Sequence, residues 1–314
     1  MNLLPEPFAS LERRMGRALL EKRLARQADH WAQLSHQGDG IFRLELVLPI
    51  DAIAAFMLRV SGLAGRARAN FLAPRVVERH WRLPRLPKVF AGFRLLQLTD
   101  LHLDLDADFT PALLEILRHV EYDAVVITGD FRNSTHEDHA PSFDAARKLI
   151  ECLKAPRFGI LGNHDFLELA PELESAGLPM LLNEVACLTR GNDQLWIAGI
   201  DDSHFYQVHD LGRVSATLPS DACTILLAHS PEIALELIPE RFDLVLSGHT
   251  HGGQLCLPGG RWLHVPVRGL GPEFINGPWK VGSTQGYTSP GTGACGVAAR
   301  LNCPGELTVH ILNT

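Results

Sequence analysis

Two segments near the start of the chain place apolar residues at helical spacing. Pro7 to His36 combines an apolar stripe with arginines at the remaining positions, which predicts an amphipathic helix. The stretch 37–40, with two glycines, is predicted to end this helix. Leu46 to Leu63 is a second and more apolar segment that ends in a glycine-containing stretch at 62–65. We therefore expect a helical N-terminal extension over residues 1–75.

From residue 76 onward, short apolar runs alternate with turns and helical segments. The predicted elements are strand 93–98, helix 111–120, strand 124–128, helix 141–153, strand 158–161, a hairpin of 184–188 and 194–198, and strands 224–228, 244–246, 279–281, 296–301 and 307–312. Strands that alternate with helices favour βαβ units and a layered α/β fold. We expect one domain over residues 76–314, with the last three strands completing a second sheet. Ligands in such folds bind beyond the carboxyl ends of the strands.

Charge is distributed unevenly along the chain. The net charge of -7 combines +8 in residues 1–94 with -15 in the remainder. A basic amphipathic segment either packs as an appendage on the acidic domain or lies on an anionic membrane surface, and both interpretations are open. The acidic remainder would repel a polyanion, so nucleic acid is not an expected partner.

Cysteine usage and the absence of targeting patterns favour a reducing compartment. The six cysteines include no CxxC pair, and three of them lie in apolar runs, which is typical of buried thiols in a reducing compartment. The chain has no signal-peptide pattern and no run of about 18 apolar residues. We therefore expect a cytoplasmic protein, with peripheral contact to the inner membrane through residues 1–75 as an open alternative.

Polar side chains suited to metal binding follow five of the predicted strands. They are Asp100, His102, Asp130, Asn163, His164, His229, His249 and His251. A lone aspartate after a strand usually caps a helix, and a lone histidine usually has no special role. Five such coincidences at the carboxyl ends of strands indicate a shared site instead. Carboxylate, amide and imidazole ligands together suit manganese, iron or zinc rather than calcium.

The five motifs occur in the order DxH, GD, GNHD, H and GHxH between Asp100 and His251. This order resembles the signature of the calcineurin-like metallophosphoesterases, and the flanking residues look like those of its bacterial YkuE/YaeI-type branch. The resemblance implies a four-layer α/β/β/α sandwich, to which the N-terminal helical extension is added. It also implies two divalent metal ions and hydrolysis by a metal-bound hydroxide. We expect manganese, with iron or zinc as alternatives.

The resemblance further implies a role for each motif residue. Asp100, His102 and His251 would bind one metal, Asp130 would bridge, and Asn163, His229 and His249 would complete the second metal. His164 would be the general acid or charge stabiliser at the leaving group, and Asp165 would orient it unless Asp165 only caps the next helix. Asn133 stands where the family commonly has an acidic or arginine residue, so the second motif departs from the family pattern at this position.

These observations predict a dimetal-dependent phosphoesterase that hydrolyses a phosphodiester or pyrophosphate bond in a phosphorylated small-molecule or lipid-linked substrate. One alternative is a UDP-diacylglucosamine-type lipid pyrophosphohydrolase at the membrane surface, motivated by the basic residues 1–75. Another is a non-catalytic metal-binding scaffold, although all eight motif positions are filled. The loop with Asp201 and Asp202 is interpreted as a solvated acidic turn or as a wall of the substrate entrance, and His204 as a bystander.

Overall fold

The computed structural model describes residues 8–35, 50–135, 138–154, 156–238, 240–267 and 269–314. In these residues, eleven strands form two β-sheets. The first sheet contains, in spatial order, β1 (Arg75–Arg82), β11 (Glu306–Asn313), β2 (Phe93–Leu98), β3 (Ala124–Thr128) and β4 (Arg157–Ile160). The second contains β5 (Glu184–Arg190), β6 (Asp193–Gly199), β7 (Thr224–Leu227), β8 (Leu244–Ser247), β10 (Thr284–Thr288) and β9 (Gly277–Val281). Strands β2 to β4 are mutually parallel, as are β6 to β8, so each set presents its carboxyl ends at one edge.

Helices precede the sheets and connect their strands. They are α1 (Phe8–Met15), α2 (Arg17–Ser35), α3 (Ile50–Val60), α4 (Ala64–Leu72), α5 (Phe109–Leu117), α6 (Ala140–Cys152), α7 (Leu169–Ser175) and α8 (Leu211–Thr217). Of the helices in the described part of the chain, none has both the length and the apolar composition needed to cross a membrane.

Three apolar layers join these elements, because neighbouring residues of a strand point to opposite faces of its sheet. Leu96 belongs to a cluster between the first sheet and its helices, which includes Leu113 of α5. Leu95 belongs to a second cluster, between the two sheets, which includes Ile225 of β7. Leu226 joins a third cluster on the outer face of the second sheet, with α8. The predicted four-layer α/β/β/α sandwich is confirmed.

The front of the chain differs in detail from its prediction. The single predicted helix is two helices, because Gly16 between α1 and α2 has a φ of 81° that a continuing helix cannot accommodate. The predicted break at 37–40 and the beginning of the second apolar segment lie outside the described residues. The rest of that segment forms α3, and α4 follows it.

The sheets also contain elements that the pattern did not predict. Half of the residues of β1 are charged and β10 has one large apolar residue, so neither stood out as a strand. The strand predicted at 296–301 is wrong, since these residues form bends and a single bridge between Leu301 and Leu255. The assignment of β11 to the second sheet is also wrong, because β11 pairs with β1 and β2 in the first.

Helices α1 and α2 pack on the first sheet's helical layer. Leu11, Met15 and Leu20 are buried in its apolar cluster. Arg14 bonds to Glu174 at 2.8 Å and to Glu184 at 2.6 Å. The opposite charges of the two parts of the chain therefore meet at this contact, as the packed-appendage interpretation of the basic segment requires.

Candidate metal centre

The side chains of the five sequence motifs converge at the carboxyl edge of both sheets. Asp100 and His102 follow β2, Asp130 follows β3, Asn163 and His164 follow β4, His229 follows β7, and His249 and His251 follow β8. Six of these eight residues are buried, while Asn163 and His164 are partly exposed. Strand ends far apart in sequence thus form one polar cluster.

One part of the cluster contains the side chains expected to hold the first metal. His251 Nε2 is 3.4 Å from Asp100 Oδ1 and 3.2 Å from His102 Nε2. Asp100 also accepts a hydrogen bond of 2.9 Å from the backbone nitrogen of His249, which ties the β2 loop to the β8 loop. These separations between ligand atoms are those that one bound ion would span.

Asp130 connects this group to the second one. Its Oδ2 lies 3.7 Å from His102 Nε2 and 3.2 Å from His229 Nε2. His229 Nε2 is also 3.0 Å from Asn163 Oδ1, and His249 joins Asp130 and His229 in a group whose ligand atoms lie within 4.8 Å. Asp130 therefore has the location that a carboxylate shared by two ions requires.

Backbone carbonyls orient two of the imidazoles. His102 Nδ1 lies 2.8 Å from the oxygen of Arg132, and His229 Nδ1 lies 2.8 Å from the oxygen of Thr128. Because a carbonyl only accepts, each Nδ1 donates, and each Nε2 presents a lone pair to the cluster when the ring is neutral. Carboxylate oxygens and imidazole lone pairs facing one another form a donor set that fits divalent metal ions.

Five of the motif residues have a backbone conformation that residues other than glycine rarely adopt. The φ angles are 51° at Asp100, 44° at His102, 57° at Asp130, 69° at His249 and 51° at His251. Each such conformation costs about 1 kcal/mol or more, and strain of this kind clusters at functional sites. The fold therefore holds these loops in backbone conformations that are intrinsically unfavourable for their residues.

Two motif glycines leave room for the carboxylates. A Cβ at Gly162 would lie 2.1 Å from Asp130 Oδ1, and a Cβ at Gly248 would lie 2.3 Å from Asp100 Oδ2. Both separations are shorter than any real contact. The glycines that open the GNHD and GHTH motifs are thus required by the carboxylates of the neighbouring strands.

Burial and mutual charge shift the pKa values of the cluster. Burial raises the pKa of the Asp100 carboxyl to about 6 and lowers that of His102 to about 3. Burial opposes the charged form of Asp130, yet the imidazoles of His229 and His164 hold its pKa well below the ordinary value. Burial also opposes protonation of His229, but Asp130 and Asp100 raise its pKa to about 10. The cluster attracts cations, and protons occupy it when metals do not.

Asp165 holds the backbone of the Asp130 loop. Its Oδ2 accepts hydrogen bonds from the nitrogens of Asp130 at 2.8 Å and Gly162 at 2.9 Å, and its Oδ1 accepts one from Phe131 at 2.9 Å. The prediction that Asp165 orients His164 is therefore wrong. The alternative of a helix cap is wrong too, since α7 begins at Leu169, beyond its reach.

His164 is positioned by Asn133 instead. Its Nδ1 lies 2.8 Å from the carbonyl oxygen of Asn133, and its backbone nitrogen donates to Asp130 Oδ1 at 2.9 Å. The Asn133 side chain accepts a bond of 2.8 Å from the nitrogen of Gly296. The residue that departs from the family pattern thus supports His164 of the third motif.

Helix α2 contacts the loop that follows His164. Arg23 is fully buried, and its Nη2 donates to the carbonyl oxygen of Asp165 at 2.8 Å, while its Nε is 3.4 Å from Asp201 Oδ2. Gln27 Oε1 accepts a bond of 3.0 Å from the nitrogen of Leu167. No sequence motif marks these contacts, because the partners are separated by well over a hundred residues.

The loop after β6 is part of the site rather than a solvated turn. Asp201 and Asp202 are buried, and Asp202 Oδ2 accepts bonds of 2.6 Å from the nitrogens of Phe205 and Tyr206. The ring centre of His204 lies 4.3 Å from that of His249. The interpretation of a solvated turn is therefore wrong, and His204 lies against a candidate metal ligand.

Two separate cavities border the cluster and share none of their lining residues. The larger, of about 740 Å³, is lined among others by His204, Glu232, Glu236, His264 and Pro266. The smaller, of about 470 Å³, is lined among others by Asp51, Asn133, His164 and Cys295. The larger cavity adjoins His249, whose Nε2 is 3.3 Å from the carbonyl oxygen of Pro266. The smaller contains His164 itself.

Comparison with known proteins agrees with this geometry. The model of the calcineurin-like phosphoesterase family matches residues 93–253. A transmembrane protein with metallophosphoesterase domain from Danio rerio is 31% identical over 321 residues, covering 95% of this chain and 68% of its own length. Metallophosphoesterase YkuE of Bacillus subtilis is 29% identical over 279 residues (84% and 94%), and phosphodiesterase YaeI of Escherichia coli is 31% identical over 232 residues (70% and 82%).

The chain therefore belongs to the calcineurin-like phosphoesterase family, and the resemblance carried by its five motifs is confirmed. It is a hydrolase that acts on phosphoester bonds. Members of this family use a dinuclear metal centre, and the clustered side chains at the carboxyl edge of the sheets are its candidate ligands here.

Proposed function

We propose that this protein hydrolyses a phosphodiester or pyrophosphate bond. The observation that carries the proposal is the pair of cavities beside the metal cluster, one next to His249 and one containing His164. A diester or pyrophosphate has a substituent on each side of the reacting phosphorus, and two cavities can hold both. A monoester would use only one of them.

The proposed ligands are those implied by the motifs: Asp100, His102 and His251 for one ion, Asn163, His229 and His249 for the other, and Asp130 shared. When bound, two divalent ions would stabilise the charge on the attacking and leaving oxygens of an in-line displacement. Manganese is the first ion to test, with iron and zinc as the alternatives that the same ligands accept.

His164 is the proposed proton donor to the leaving group. Its Nδ1 is engaged by Asn133, so its Nε2 faces the cavity of about 470 Å³. Burial opposes protonation, but Cys295 and Asp130 raise its pKa well above the ordinary value, which favours the protonated ring. A protonated Nε2 beside the leaving oxygen can donate that proton as the ester bond breaks.

The test is metal-dependent hydrolysis of bis-p-nitrophenyl phosphate beside p-nitrophenyl phosphate, with His249→Ala as the control. Turnover of the diester that exceeds that of the monoester and is lost in the variant is the expected result. Preference for the monoester would contradict the two-cavity argument. Two bound metals without turnover of either ester would favour a non-catalytic scaffold.

A lipid-linked substrate is a second candidate, favoured by helix α3. Ile53, Phe56, Met57 and Val60 occupy one helical stripe and are 46 to 62% exposed. At the beginning of the same helix, Asp51 lines the cavity that contains His164. We propose that this stripe contacts the inner membrane from the cytoplasm, where the free cysteines would stay reduced, and admits a UDP-diacylglucosamine-type pyrophosphate.

Co-sedimentation with anionic liposomes tests the lipid candidate. The double variant Phe56→Asp and Met57→Asp should lose binding, whereas Val89→Asp, an exposed apolar residue of a different element, should retain it. Equal binding by all three proteins, or no binding by the unaltered chain, would contradict membrane contact through α3. Either result leaves the diester proposal standing, because that rests on soluble substrates.

A further inference from the structure

We propose that Cys295 is an additional ligand to the ion held by Asp100, His102 and His251. The inference rests on the metal centre of the proposed function and assigns it a residue outside the five motifs. Its first basis is position. The Cys295 sulfur and the ring nitrogens of His102 and His251 lie within 4.8 Å of one another, and the sulfur is 3.8 Å from His164 Nε2.

The distances allow coordination with little movement. Metal–thiolate and metal–imidazole bonds to zinc are about 2.3 and 2.1 Å, so a tetrahedral ion holds its sulfur and nitrogen ligands about 3.6 Å apart. Because these atoms lie within 4.8 Å of one another, the Cys295 sulfur has about 1 Å or less to travel. Coordination would form a metal–sulfur bond and release the thiol proton to solvent.

The backbone that carries Cys295 is held in place from both sides. Gln254 Oε1 accepts from the nitrogen of Cys295 at 2.8 Å, and Gln254 Nε2 donates to the Cys295 oxygen at 2.9 Å. Two residues earlier, the nitrogen of Gly293 donates to the carbonyl oxygen of Asp100 at 3.0 Å. The loop that carries Cys295 is thus hydrogen-bonded to the segments that contain Asp100 and His251. A thiol on such a loop is preorganised with respect to the metal ligands.

The neighbouring cysteines do not share this arrangement. Cys256 and Cys303 are buried, and their thiols donate to the carbonyl oxygen of Gly252 at 3.3 and 3.4 Å. Among the described residues grouped as candidate ligands, Cys295 is the one cysteine. Thiolate ligands favour zinc, iron or cobalt over manganese. We therefore infer that this half of the centre selects a softer ion than the half that contains His229.

Cobalt(II) spectroscopy of the full chain tests the inference, because a cobalt–thiolate bond produces a strong near-ultraviolet charge-transfer absorption. Metal-depleted protein is loaded with cobalt, and elemental analysis counts the bound ions. The unaltered chain should bind two ions and show the absorption, and Cys295→Ser should lose the absorption while retaining its ions. Cys187→Ser, which alters a half-buried thiol on β5, is the matched control and should be unchanged.

A competition between zinc and manganese provides a second readout. Cys295→Ser should lower zinc affinity by at least about tenfold while manganese affinity changes less. Two bound cobalt ions without the absorption, or an absorption that persists in Cys295→Ser, would overturn the inference and leave the proposed function intact. Failure of the unaltered chain to bind cobalt, zinc or manganese would overturn both.

Discussion

The two sheets contribute differently to the centre that lies between their carboxyl edges. The first sheet supplies both carboxylates, Asp100 and Asp130, together with His102, Asn163 and His164. The second sheet supplies only imidazoles, from His229, His249 and His251. The loops of the first sheet are held by dedicated contacts, such as the carboxylate of Asp165 on the backbone of the Asp130 loop.

This difference indicates a division of labour. In the proposed centre, the first sheet would hold the charge that attracts two ions and the carboxylate that they share, and α2 supports its loops through Arg23 and Gln27. The second sheet would complete the coordination of each ion with neutral ligands. Removal of the shared carboxylate, Asp130, should therefore affect both ions, whereas removal of a second-sheet imidazole should affect one.

Asp130→Asn should have the largest effect. The variant removes the negative charge between the two groups of ligands, so it should bind fewer than two ions and lose at least about a thousandfold in kcat/KM for the diester. Elemental analysis and steady-state kinetics measure the two quantities. Asp193→Asn, at the exposed first residue of β6, is the matched control. Retention of both ions by Asp130→Asn would remove the distinction between the sheets.

His249→Ala and His251→Ala should each lose one ion and about a hundredfold in activity. The two histidines lie two residues apart on the same loop, yet the proposal assigns them to different ions. Thr250→Val, between them, is the control for disturbance of the loop. Loss of both ions from either variant would show that the second sheet also supplies a ligand on which both ions depend.

Lowering the pH should weaken metal binding in two stages. The metal-free pKa values are about 10 for His229 and about 6 for Asp100. Between these values an entering ion must displace the proton of His229, so affinity should fall about tenfold for each unit of decreasing pH. Below about 6, Asp100 is protonated as well, and the slope should steepen. Competition with a fluorescent chelator from pH 8 to 5 measures this, and a pH-independent affinity would contradict the charge assignments.

Arg23→Lys should have the smallest effect, a reduction in kcat of up to about tenfold with both ions retained. Lysine keeps the positive charge beside Asp201, so the fold should be retained. It lacks the second guanidinium nitrogen that donates to the carbonyl oxygen of Asp165. Arg17→Gln, an exposed position on the same helix, is the control. If the two variants have the same kcat, α2 does not support the first-sheet loops during catalysis.

The parts of the molecule that were predictable from the sequence are those specified by local patterns. The bounds of β2 and β3 match their prediction, because short apolar runs between turns define buried strands. The motif residues converge as expected because parallel strands bring their carboxyl ends together. The requirement for glycine at 162 and 248 is not a local pattern, because it comes from carboxylates that the fold places beside these positions.

The parts that were missed depend on partners distant in sequence. Asp201 resembles a solvated acid until Arg23 is placed beside it, and both are fully or almost fully buried. The support of His164 by Asn133 is a carbonyl contact, which no side-chain identity reveals. The pairing of β11 with β1 and β2 likewise leaves no trace in its own apolar pattern.

That pairing has a consequence for how the chain acquires its structure. Strand β11 lies between β1 and β2, and its register pairs Val309 with Leu96, more than two hundred residues away. During synthesis, β2 and β3 therefore leave the ribosome with one edge of their sheet unpaired, and it stays so until β11 emerges. An apolar strand with open hydrogen bonds favours aggregation, so folding yield should depend on chaperones and fall when β11 is truncated.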